Sequence, residues 1–216
     1  MSITLHGYWR SSATYRVRIA LNLKQLEYQY VPVHLVKDGG EQHSEAYLGL
    51  NPAGLVPAFV DDDEDFILNQ SMSIIEYIDE RYPEPLRFLP DHALDRARIR
   101  ALAQDVACDI QPVSNLRILQ AVEALSNDPN AKTEWAKNWI EKGFKGIEKR
   151  LVTRAGKYCF GFDVSLADIV LIPQVYNAIR FGVDMAKYPL INGIYENCQA
   201  LDAFQKAAPE NQPDAV

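Results

Sequence analysis

A proline cluster constrains this chain more than any other feature. Pro83, Pro85 and Pro90 fall within the eight residues PEPLRFLP. Proline lacks the backbone N–H and clashes with the preceding turn, so no helix runs through this stretch and it reads as a linker. Strand and helix signals alternate before it, whereas after it the strand signal almost vanishes. At roughly 150 residues per domain, the 216 residues accommodate the two domains this implies. Residues 1–82 form a small α/β domain, 83–90 the linker and 91–216 a larger all-helical domain.

Within the first domain, residues 3–7 read as a strand. Ser11 and Ser12 then stand before the apolar-rich stretch 15–23, where hydroxyl side chains cap a helix N-terminus. Residues 28–34 (YQYVPVH) are β-rich, with Pro32 suggesting an edge or a bulge. Residues 41–50 form a short helix. The strands 57–60 and 66–68 flank an acidic, solvated turn beginning Asp61-Asp62-Asp63-Glu64 and read as a hairpin. Ser71 caps a helix reaching Tyr82, with Ile74, Ile75 and Ile78 on its apolar side. The order is βαβαββα. Beyond the linker, helical patterns cover about residues 91–125, 130–152, 165–181 and 189–208. Ser165-Leu166-Ala167-Asp168 places a carboxylate three positions after a hydroxyl and before an apolar run. That spacing is a capping box, so Asp168 is read as a helix-start device and not as a catalytic acid.

Composition excludes several function classes. A net charge of −7 argues against general nucleic-acid or anionic-membrane binding, because such surfaces repel an acidic protein. No apolar run approaches the roughly 18 residues of a membrane span, and the first residues enter a strand pattern without a signal-peptide layout. Cys108, Cys159 and Cys198 are far apart, as are His6, His34, His43 and His92. Neither set has metal-ligand spacing or a disulfide framework, so no metal site and a reducing cytoplasm are expected. Trp135 and Trp139, four apart, read as packing, and His43 has no visible partner for general-base work.

Several motifs, in order along nearly the whole chain, carry a resemblance. Residues 8–21 read YWRSSATYRVRIAL. Asn51-Pro52 is followed by Val56-Pro57, then Asn69-Gln70-Ser71. Later come Asp109-Ile110-Gln111-Pro112 with Asn115-Leu116-Arg117, and Pro173-Gln174-Val175 with Asn177-Ala178-Ile179-Arg180-Phe181. Together these resemble the zeta-class glutathione transferases, the class that includes maleylacetoacetate isomerase. The resemblance implies the glutathione transferase fold: an N-terminal thioredoxin-like domain of order βαβαββα joined to a C-terminal all-helical domain. The family signature usually reads Ser-Ser-Cys where this chain has Ser11-Ser12-Ala13, so no enzyme cysteine acts at that position. Some bacterial relatives acting on maleylpyruvate also lack it.

The implied activity is a glutathione-dependent cis–trans isomerisation of maleylacetoacetate to fumarylacetoacetate, in tyrosine and phenylalanine breakdown. A thiolate adds to the conjugated double bond, the bond rotates and the thiolate leaves, so glutathione is a cofactor. A free thiol with a pKa near 8.5 is mostly protonated at neutral pH. Hydroxyl donors and the positive end of a helix dipole favour the anion. By resemblance, Ser11 stabilises the sulfur, with Ser12 as second candidate and Arg16 as the nearest cation. Pro57 is expected to be cis, with the Val56 backbone pairing the cysteinyl part of glutathione. Gln70 and Ser71 receive the γ-glutamyl carboxylate at a helix start, and Gln42 reaches the glycyl end. Gln111 and Asn115, four apart and so on one helix face, contact glutathione or substrate. Arg117 and Arg180 grip the dianionic keto acid through bidentate guanidinium–carboxylate pairs. A homodimer is expected from the family.

Other readings share parts of this pattern. Maleylpyruvate isomerase uses the same chemistry on a shorter acid, and a general glutathione transferase or peroxidase would act on small electrophiles. A non-catalytic module could keep the glutathione pocket, but it would not need the acid-binding Arg180.

Overall fold

The computed structural model describes residues 2–216. The first part contains β1 (Ile3–Gly7), α1 (Ser12–Leu23), β2 (Gln29–Pro32), α2 (Glu45–Leu50), β3 (Ala58–Asp61), β4 (Phe66–Asn69) and α3 (Ser71–Arg81). The four strands form one mixed sheet in the order β2-β1-β3-β4. β1 pairs parallel to β2 and antiparallel to β3, and β3 pairs antiparallel to β4. This is the thioredoxin-like arrangement that the element order implies. Pro32 ends β2, an edge strand, where its missing N–H costs the sheet least.

Leu5 and Phe59 from the sheet, Ile19 and Leu21 from α1, and Ile74, Ile75 and Ile78 from α3 are all fully buried. Burying each such side chain contributes about 1.5–3 kcal/mol. At the end of β1 the chain passes so close to α1 that a Cβ on Gly7 would lie 2.2 Å from the Thr14 methyl, so only glycine fits.

The acidic hairpin turn departs from expectation at its first residue. Asp61 is buried and accepts hydrogen bonds from the Tyr77 hydroxyl at 2.8 Å and the Tyr82 hydroxyl at 3.3 Å. The next four residues are exposed. The two phenols sit near the end of α3, far along the sequence from the turn, so the run of acids gave no local hint of them. Among the described residues no group of three or more His, Cys, Asp or Glu side chains could hold a metal.

The chain forms two compact units. One runs through Arg87 and includes Leu201–Val216; the other is Phe88–Ala200. The boundary falls inside the proline-rich stretch. On the first-unit side Lys24 anchors that stretch, forming a buried ion pair with Asp79 at 2.8 Å and donating to the carbonyls of Pro83 and Leu86.

Assigning residues 91–216 to the helical domain therefore needs correction at its end. Leu201–Val216, with α9 (Asp202–Ala207), belongs to the first unit. The physical reason is a set of polar links back to α1 and the loop before it. Arg18 Nε donates to Ala207 O at 2.9 Å, Asn22 Nδ2 to Ala203 O at 3.0 Å, and the Trp9 N–H to Asp214 Oδ2 at 3.0 Å.

The second unit holds α4 (Ala93–Gln104), α5 (Leu116–Leu125), α6 (Ala131–Leu151), α7 (Leu166–Arg180) and α8 (Pro189–Gln199). The single helical pattern read over 91–125 is in fact interrupted. α4 passes into a π-helical turn, Asp105–Ile110, then a 3₁₀ turn, Pro112–Ser114, before α5 begins. Pro112 has no N–H to continue the ladder, and the Asn115 side chain caps the new helix by accepting from the amides of Arg117 and Ile118. The pattern over 189–208 also divides, between α8 and α9.

The Ser165–Asp168 capping box forms as read. Asp168 accepts from the Ser165 amide and hydroxyl at 2.8 and 2.7 Å, and from the Cys159 amide at 2.8 Å. Trp135 and Trp139 lie tilted to each other with ring centroids 5.8 Å apart and planes at 56°, and Trp135 Nε1 donates to Val113 O at 2.8 Å, which is a packing arrangement. No helix among the described residues is long and apolar enough to cross a membrane.

Candidate active site

Ser11 is the N-cap of α1, with extended backbone angles (φ −69°, ψ 118°). Its Oγ accepts from the Thr14 N–H at 3.2 Å. A serine hydroxyl has one donor besides its acceptor sites. Capping therefore uses only the acceptor side, and the O–H remains available to an anion at the positive end of the helix. The capping acceptor and the uncommitted donor coexist on the same hydroxyl. Ser11 is half-buried; Ser12, the first residue of α1, is buried. Ala13 occupies the third signature position and is half-buried.

Arg16 is buried, and its Nη1 donates to the Ser71 Oγ at 3.2 Å. It thus joins α1 to the start of α3. Ser71 is the first residue of α3, and Gln70 occupies the cap position without a side-chain capping bond. That corrects the expectation of Ser71 as the cap. The reason lies in the backbone. Gln70 has φ 74° and ψ 111°, positive-φ geometry that a non-glycine residue adopts at a cost of about 1–3 kcal/mol. The Gln70 side chain is exposed, and strain of this kind is concentrated at ligand clamps.

The Val56–Pro57 peptide is cis. Val56 lies two residues before β3, so its N–H and C=O take no part in the sheet ladder. Its position is set from the preceding residue. Leu55 O accepts from the Tyr47 hydroxyl at 2.7 Å and from Asn51 Nδ2 at 2.6 Å. The Val56 side chain packs on a small cluster of Val33, Tyr47 and Ala58. Asn51 was legible only as part of a motif. Its function here, gripping the carbonyl beside Val56, depends on the turn that folds residues 51–55 back on themselves.

Gln42 is buried in a 3₁₀ turn, Glu41–His43. Its Nε2 donates to Leu35 O at 3.3 Å, while its Oε1 is buried without a hydrogen-bond partner among the described residues.

In the second unit, Gln111 ends the π-helical turn and Asn115 caps α5. They do not share a helix face, because the helix that would have aligned them breaks between them. Arg117 is exposed in the first turn of α5. Arg180 is the last residue of α7, exposed, with its guanidinium 4.4 Å from the Phe181 ring centroid.

The family description "Glutathione S-transferase, N-terminal domain" matches residues 5–86. Over 216 residues the chain is 52% identical to a probable maleylacetoacetate isomerase of Vibrio cholerae, covering 100% of this chain and 99% of that protein. Among solved structures, a maleylpyruvate isomerase described as a bacterial glutathione S-transferase of the zeta class superposes with a TM-score of 0.93. It is 44% identical and covers 99% of this chain and 100% of its own. The chain belongs to the zeta class of glutathione transferases. A further neighbour is the maleylacetoacetate isomerase of Anaeromyxobacter dehalogenans 2CP-1, solved with glutathione in its active site. Its TM-score is 0.89, with 40% identity over 100% of this chain and 98% of that one.

The first unit of this zeta-class chain brings three features together. There is a hydroxyl donor at a helix start, a Val56 backbone outside the sheet ladder, and a second helix start whose cap residue is held in a strained conformation.

Proposed function

We propose that the protein is a glutathione-dependent cis–trans isomerase converting maleylacetoacetate to fumarylacetoacetate. The observation that carries this reading is Ser11, whose hydroxyl keeps its donor free at the positive end of α1 while its acceptor side caps the helix. Bound glutathione supplies a thiolate that adds reversibly to the conjugated double bond and so permits rotation. Ser11 holds that sulfur as the anion through a charge-assisted hydrogen bond. Ser12 reinforces the same helix start.

Val56 pairs its backbone N–H and C=O with the cysteinyl residue, as one strand edge pairs with another. Gln70 and Ser71 receive the γ-glutamyl carboxylate, and Arg16 orients the Ser71 hydroxyl. Gln42 serves the glycyl end. Its unpaired Oε1 is an acceptor, which suits the glycyl peptide N–H better than the carboxylate. Arg117 and Arg180 of the second unit supply carboxylate grips for the dianionic acid, with Gln111 and Asn115 as polar contacts. A homodimer, a cytoplasmic location and a place in tyrosine breakdown belong to the same reading.

Ala13 favours a second substrate within this chemistry, maleylpyruvate, because the usual cysteine is absent. Both acids, assayed side by side with and without glutathione, provide the test. Turnover of either that depends on added glutathione supports the reading, and the faster acid names the substrate. Equal turnover without any thiol would end it.

A further inference from the structure

We infer that Asp214 is a positioning residue for the reaction, holding the loop that presents Ser11 by binding the backbone of Trp9. The inference rests on the reading of Ser11 as the sulfur-binding hydroxyl.

Trp9 lies two residues before Ser11 and both of its backbone polar groups are held by side chains. Its N–H donates to Asp214 Oδ2 at 3.0 Å, and its C=O accepts from Arg18 Nη2 at 2.9 Å. Within the turn, the Ser11 N–H closes back on Tyr8 O at 3.0 Å, and Arg18 Nη1 approaches the same carbonyl at 3.5 Å. Within this turn the Trp9 N–H, the Trp9 C=O and the Tyr8 C=O are thus held by the turn's own bond and by two charged side chains.

Arg18 is fully buried and also binds Ala207 O at 2.9 Å. Asp214 shares its Oδ2 with the Tyr30 hydroxyl at 3.4 Å, while its Oδ1 is buried with no hydrogen-bond partner among the described residues. The charged and titratable groups around the clasp include Arg18, Asp214, Tyr30, Tyr28, Tyr15 and Arg10, whose guanidinium lies 5.2 Å from the Trp9 ring centroid. A carboxylate accepting a backbone N–H forms a strong, charge-assisted bond. A displacement of about 1 Å at a catalytic group can cost as much as 10²-fold in rate. The segment Leu201–Val216 therefore clamps the geometry of the helix start that holds the sulfur.

The sign of one measurement separates positioning from simple structure. Deleting a negative charge near a thiol favours the thiolate and lowers its pKa. Losing the geometry of Ser11 weakens its hydrogen bond to the sulfur and raises that pKa.

The test uses the full chain with glutathione bound, comparing wild type, D214A, D214N, S11A and the S11A/D214A double variant. Thiolate absorbance near 240 nm during a pH titration gives the bound-thiol pKa. Isomerase kcat, KM and melting temperature complete the set. D214A is expected to raise the bound-thiol pKa and to lower kcat about tenfold or more with little change in KM. D214N, the variant to rely on if D214A does not fold, is expected to shift the pKa in the same upward direction. The double variant is expected to match S11A alone, because Asp214 acts through Ser11. An unchanged or lowered thiol pKa in a folded Asp214 variant overturns the inference, even if melting falls. If S11A itself leaves the thiol pKa unchanged, the assignment of Ser11 fails instead, so the two failures are distinguishable.

Discussion

The guanidinium of Arg16 donates to the hydroxyl of Ser71 at 3.2 Å, joining α1 to the first residue of α3 with both side chains buried. This bond ties the first turns of α1 to the start of α3. Ser71→Ala removes an acceptor from a buried cation and is expected to cost about 1–3 kcal/mol of stability. Glutathione affinity is expected to fall about tenfold, equivalent to 1.4 kcal/mol. Calorimetric titration and thermal melting measure the two effects. A lower melting temperature with unchanged affinity would confine the pair to structure.

Ser11→Ala separates capping from chemistry. Loss of the cap is expected to cost about 1 kcal/mol, while loss of the anion's donor is expected to lower kcat about 10²-fold or more. Turnover needs the thiolate, so the rate rises with pH through the bound thiol's pKa. Removing a donor to the anion raises that pKa and moves the rising limb to higher pH, by one unit for about each 1.4 kcal/mol lost. A pH–rate profile of the variant checks both the size and the direction.

Gln70 tests whether backbone strain serves binding. Glycine adopts positive φ without penalty, so Gln70→Gly is expected to leave melting unchanged or raise it by an amount worth about 1 kcal/mol. Glutathione binding is expected to weaken at the same time, because the side chain and the fixed backbone are both lost. Tighter binding together with higher stability would show that the strain serves no ligand.

Asp168 is fully buried, and burial raises its carboxyl above the ordinary 3.8 despite the amides and hydroxyl that it accepts from. A raised native pKa means that the folded state holds a proton at pH values where the unfolded chain has released it. The group's contribution to stability is therefore greatest below the unfolded pKa and declines as pH rises through the native one. Asp168→Asn is expected to flatten that part of the stability–pH curve. Asp168→Ala leaves the Ser165 and Cys159 amides without their acceptor and is expected to cost about 2–4 kcal/mol. Denaturant unfolding across pH checks both variants.

The three cysteines should differ sharply in reactivity. Burial pushes the Cys159 and Cys198 thiols well up, whereas Cys108 is exposed. The thiolate is the reactive form. Mild alkylation of the native protein at neutral pH is expected to modify Cys108 alone, with the other two reacting after unfolding. Mass spectrometry of the labelled peptides reads the result.

What the sequence determined by itself is everything carried by signals acting over a few residues. The proline cluster at 83–90 separates strand-bearing from helical chain because proline removes an N–H wherever it stands. Ser11 and the Ser165–Asp168 pair mark helix starts because a short polar side chain reaches amides two or three positions ahead. The hairpin and the βαβαββα order followed from the same local rules, and the motifs around Ser11, Val56 and Gln70 carried the family. Tertiary structure decided the rest. Whether Leu201–Val216 packs with the helical unit or with α1 depends on Arg18, Asn22 and Trp9, nearly two hundred residues away. A helical period looks the same in either place. The π-helical turn at Asp105–Ile110 and the Asn115 cap broke a continuous pattern and parted Gln111 from Asn115. The burial of Asp61 beneath two tyrosines, the strained backbone of Gln70 and the partner chosen by Arg16 are likewise long-range outcomes. In each, a polar group finds its mate across the fold, and spacing along the chain carries no record of that distance.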